Sequence, residues 1–171
     1  MLLLEHRADL PNPRYSRVLM DSRTAARAAG VKLGTLNAWF ARGWIPGVTV
    51  GLSGKRRNID FETAVRVAVF AQLTKHRVDP DRASQVAADL PRERTQSGWL
   101  FVPPQDWREQ WGAPGMACTH MMELAQLHEL LRSFHSPPEF FVMIDIGQIA
   151  ERVRRAEALW QETRSGKQSD G

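Results

Sequence analysis

Two short helical segments separated by a three-residue turn constrain this chain more than any other feature. "DSRTAARAAG" has a capping residue in Asp21 or Ser22 and ends at Gly30, and a second apolar pattern opens at Leu33. That second segment, "LGTLNAWFARGWIPG", stops at Gly43 with Pro46 beyond it. Leu33, Leu36, Trp39 and Phe40 fall at helical spacing, which predicts one packed face. The outer face offers Lys32, Thr35, Asn37 and Arg42: a hydroxyl, an amide and positive charge, with no acid.

The segments after Pro46 add to the pattern. "VTVGLSGKRRNIDF" predicts a β-hairpin, with β-branched residues, a Gly/Ser turn at 51–54 and a basic return strand carrying Lys55, Arg56 and Arg57. "DFETAVRVAVFAQLTKH" predicts a buried helix capped by Asp60, and "DPDRASQVAADL" another, with Asp79 as cap and Pro80 in its first turn. Helix, tight turn, helix and basic hairpin is the order of a winged helix-turn-helix, whose second helix enters the major groove of DNA. Such a helix needs short hydrogen-bonding side chains and cations and excludes carboxylates near phosphate. Asn37 can pair with adenine and Thr35 can donate to a base or phosphate, while Lys32 and Arg42 stand at the helix ends where phosphates would pass.

Charge is distributed in agreement with this order. Residues 1–60 hold ten Lys/Arg against four Asp/Glu, whereas residues 97–171 hold seven against ten. The net charge of +4 is thus concentrated at the front of the chain, which suggests two jobs for its two halves. The one cysteine, Cys118, excludes an internal disulfide and fits a reducing compartment. "MLLLEH" is too short for a signal-peptide core, and no apolar run approaches the roughly 18 residues needed to span a bilayer. A cytoplasmic, nucleoid-associated protein is the expectation.

The stretch "TAARAAGVKLGTLNAWFARGWIPG…GKRRNIDFETAVRVAVFAQL" resembles the winged helix-turn-helix DNA-binding domain of the MerR-like class over residues 21–90. The resemblance rests on the alanine-rich first helix, the Gly30-Val31 turn, "TLxxW" at 35–39, "RGWIP" at 42–46 and the basic segment leading into "IDFETAV". It implies that Thr35, Asn37 and Arg42 are recognition-helix contacts, that Arg56 and Arg57 are wing contacts, and that Arg23 contacts a phosphate. Asn37 stands where the class usually has a basic residue, and Asn58 where it has an aromatic. Phage DNA-packaging small subunits and excisionases resemble the same class, so the likeness implies DNA binding more firmly than regulation.

Residues 1–20, with Pro11 and Pro13 and no clear period, read as an N-terminal arm, and the polar segment 91–97 as a linker. Beyond it, "GWLFVPP" at 98–104 and "PEFFVMIDIG" at 138–147 predict strands. "THMMELAQLHELLRSF" and "QIAERVRRAEALWQETR" predict amphipathic helices, the second with a Glu151–Arg155 pair. Residues 98–164 then form a small α+β (βαβα) domain and 165–171 a disordered tail. Because two strands leave both sheet edges open, residues 98–163 are expected to form a homodimer.

Chemistry finds little footing here. Cys118, His120, His128 and His135 lack the close ligand spacing of zinc motifs, so no metal is expected. Trp99, Trp107 and Trp111 fit core or interface positions better than an effector pocket, and Asp106, Glu109 and Glu123 make no obvious acid/base pair. With no phosphate loop or nucleophile elbow, neither an enzyme nor a cofactor is expected. The sequence therefore predicts a mainly α protein with small β content, acting as a dimeric, sequence-specific double-stranded DNA-binding transcription regulator of bacterial or prophage origin. The alternatives are a packaging or excisionase-like architectural protein, or an interaction module working through its C-terminal half.

Overall fold

A computed structural model describes residues 19–45, 58–90, 98–102, 120–122, 126, 129, 132 and 141–166. The chain is mainly helical, with two small antiparallel sheets among the described residues. Strand β1 (Met20–Asp21) leads into α1 (Ser22–Ala29) and α2 (Leu33–Ala41), and β2 (Asn58–Ile59) leads into α3 (Phe61–Lys75) and α4 (Pro80–Ala88). Then come β3 (Trp99–Val102), β4 (His120–Met122), β5 (Val142–Asp145) and the long helix α5 (Ile146–Gly166).

Aspartates start all of these helices except α2. Asp21 accepts from the Thr24 amide and Asp60 from the Thr63 amide, each at 2.8 Å. Asp79 accepts from the amides of Asp81 and Arg82, with Pro80 at the first helical position, and Asp145 accepts from the Gln148 amide at 3.0 Å. Each satisfies a donor that the first helical turn would otherwise leave open.

At the other end, α1 closes through Gly30, left-handed at φ 72°, with the Val31 amide donating to the Ala26 carbonyl at 2.9 Å. Helix α3 closes in the same way through Arg77 at φ 62°.

Helix α3 is the centre of the molecule. Val65, Val67, Val69, Phe70 and Leu73 are fully enclosed, and burial overrides the modest helix preference of three valines. Ala25, Ala26, Ala28 and Ala29 of α1 are buried, and their small side chains let α1 lie close to α2, α3 and α5.

Several differences from the sequence-based picture come from pairing between distant segments. Met20, expected in the arm, is a fully buried strand residue paired with Ile59, while the arm before Leu19 lies outside the described residues. Of the expected hairpin's return strand, residues 58–59 are described and pair with β1; residues 46–57, including the expected wing, lie outside the described residues.

Residues 120–122, expected to begin a helix, form a strand, and the helical residues described beyond them are 126, 129 and 132. The second sheet therefore has three strands in the order β4-β3-β5, both pairs antiparallel, and the βαβα expectation is corrected. The third strand enlarges the sheet beyond the pair expected, and among the described residues β4 and β5 still stand at its two edges.

Helix α5 runs through Gly166, past the expected start of a disordered tail. It packs on α1 and α3, and Ile146, Ile149 and Val153 join the same core as Ala25 and Phe70. The core thus continues across the expected boundary at 91–97. No helix among the described residues is long and apolar enough to cross a membrane.

Candidate nucleic-acid interface

Helix α2 buries Leu36, Trp39 and Phe40, with Leu33 partly covered. The Trp39 ring meets Phe70 of α3 edge-on, 4.8 Å between centroids at 70°, a favoured aromatic geometry. At the C-terminal end the Gly43 amide donates to the Phe40 carbonyl and the Trp44 amide to the Trp39 carbonyl, with Gly43 left-handed at φ 72°. Side chains and backbone together hold the helix against the core.

Lys32, Thr35, Asn37 and Arg42 are all exposed, as is Arg23 on α1. Lys55, Arg56 and Arg57 lie outside the described residues. The exposed arc is organised differently from a simple polar face. At about 100° per residue, Thr35 and Asn37 point about 160° apart around the helix. Thr35 and Arg42, seven residues apart, share one margin of the arc and Asn37 takes the other. Between them lie Gly34, Ala38 and Ala41, so the middle of the arc is nearly flat. A flat middle with polar margins allows a close approach along the helix, with hydrogen-bonding groups on either side.

The start of α2 departs from the rest of the molecule. Its N-cap is Lys32, whose side chain makes no capping hydrogen bond, and its first turn has no acid. A helix N-terminus carries partial positive charge and open amide donors, and here a cation is added to it. Substituting an alanine at Gly34 would meet nothing within 4 Å, so packing does not require glycine there.

Three neighbours of this surface were not legible from sequence. The Trp44 indole Nε1 donates to Asp81 Oδ1 of α4 at 3.1 Å, and Ser84 Oγ donates to the Trp44 carbonyl at 2.6 Å. The Arg42 guanidinium lies 5.0 Å from the centre of the Trp44 ring. The fold therefore brings one carboxylate to the edge of a surface whose own segment has none. The bonds span 37 and 40 residues, and no local pattern announces them. No group of three His, Cys, Asp or Glu side chains among the described residues could hold a metal ion.

No protein-family model matches the chain, and no curated protein matches it in sequence.

Proposed function

We propose that the chain binds double-stranded DNA through α2, as a cytoplasmic, dimeric, sequence-specific regulator. The observation that carries this reading is the exposed arc of α2, which is rigidly backed by the core, free of carboxylates and cationic at its start. Gly34, Ala38 and Ala41 leave room for the floor of a groove. Asn37 on one margin reads a base edge, and Thr35 and Arg42 on the other meet a base or phosphate. Lys32 and the open amides behind it receive a phosphate, as helix N-termini do. Arg23 adds a contact from α1, and Lys55, Arg56 and Arg57 add phosphate contacts from the segment before β2. Residues 98–163 supply the symmetry that pairs two readers with two half-sites.

A gel-shift series at several salt concentrations tests this. Arg56→Ala with Arg57→Ala lowers affinity for all duplexes and flattens the logarithmic salt slope by about 0.9 for each phosphate no longer neutralised. Asn37→Ala mainly lowers the preference for the cognate site over random duplex. Absence of duplex binding by the unmodified chain in dilute buffer would refute the proposal.

A further inference from the structure

Trp44 stands at the exit of α2 and is held from three directions. Its Nε1 edge is bonded to Asp81, its carbonyl to Ser84, and its ring lies 6.0 Å from Phe70 at a tilt of 32°. Asp81 and Ser84 are three residues apart on α4 and so share one face of that helix. Above the indole sits the Arg42 guanidinium, 5.0 Å from the ring centre.

We propose that Asp81 and Ser84 are positioning residues for duplex binding: by clamping Trp44 they set where Arg42 can reach. This rests on the DNA-binding reading of α2. The physical reasons are three. A free arginine loses much rotamer freedom when it grips a phosphate, and one already lying on an indole loses less. Stacking occupies the flat face of the guanidinium and leaves its in-plane N–H donors for a phosphate. A carboxylate accepting the indole N–H also enriches the ring in electron density, which strengthens its hold on a cation.

The clamp explains why a carboxylate is present at the margin of a surface meant for a polyanion. Its acceptor role and its charge can be separated. Asp81→Asn keeps an acceptor for the indole and removes the repulsion; Asp81→Ala removes both. With the full chain and a random-sequence duplex of about three helical turns as probe, Asp81→Asn binds as tightly as the unmodified chain or up to severalfold tighter. Asp81→Ala binds about three- to fivefold more weakly, the scale of one exposed cation–π contact. In an Arg42→Ala background, Asp81→Ala no longer weakens binding, because the residue acts through Arg42. Thermal unfolding of each variant separates these effects from any loosening of α4.

If both Asp81 variants bind more tightly than the unmodified chain, Asp81 acts only as a charge and the proposal is overturned. The ¹⁵N indole resonance of Trp44 distinguishes the remaining outcomes. It shifts in Asp81→Ala and stays near its place in Asp81→Asn if the contact exists, and an unmoved resonance in both overturns the clamp. If that pattern is found but the unmodified chain ignores duplex DNA, the clamp contact stands, and the positioning role falls with the DNA-binding reading.

Discussion

Helices α2 and α3 touch through Trp39 and Phe70, yet they are built on opposite terms. Helix α3 is enclosed on most of its circumference, begins on an aspartate cap and carries Glu62 in its first turn. Helix α2 is covered on one side only, begins on a lysine with no side-chain cap and has no acid in its first turn. The charge of the first turn is favourable to the helix in α3 and unfavourable in α2. A short helix that forgoes its cap is stabilised mainly by its buried side, so its other side is open to other uses.

The largest effect tests the buried partner. Phe70→Ala removes a fully buried ring that backs both Trp39 and Trp44, and should lower stability by about 3–5 kcal/mol in chemical unfolding. A loss under about 1 kcal/mol would show that α2 does not lean on α3 as described.

Next in size is a change that sets stability against binding. Lys32→Asp gives α2 the cap that its neighbours have, and should stabilise the fold by about 0.5–1 kcal/mol. The same carboxylate at a phosphate-facing helix start should weaken duplex binding about tenfold or more at low salt. Paired measurements of unfolding and binding check both signs; if the two move together, the contrast between α2 and the other helices is structural only.

The smallest change compares the two exits. Helix α2 leaves through Gly43 in the left-handed region, whereas α3 leaves through Arg77 at φ 62°, where a side chain is strained. Arg77→Gly should therefore stabilise the chain by about 0.5–1 kcal/mol in denaturant titration. Gly43→Ala should destabilise it by a similar amount, although nothing lies within 4 Å of the added methyl, because its cost is conformational.

Local features of this fold were legible along the chain. Asp21, Asp60 and Asp79 with Pro80 mark helix starts by chemistry that acts within three residues, and Gly30 and Gly43 mark helix ends in the same way. The exposed placement of Lys32, Thr35, Asn37 and Arg42 followed from the period of Leu36, Trp39 and Phe40 alone. Their division into two margins around Gly34, Ala38 and Ala41 was available in the same period, but a list of polar residues conceals it.

What the periodicity could not supply is partnership. "HMM" at 120–122 reads equally well as the start of a helix or as a strand, and only pairing with β3 decides. An apolar stripe on α5 calls for a buried face without saying whose surface will cover it, and α1 and α3 do so from far back in the chain. Asp81 and Trp44 carry no sign of each other in sequence. Caps, turns and amphipathic spacing arise from interactions a few residues long, so the sequence by itself determined the helices and the character of their faces. The docking of α5, the third strand and the Trp44 clamp depend on contacts between distant segments, which exist only once the chain has closed on itself.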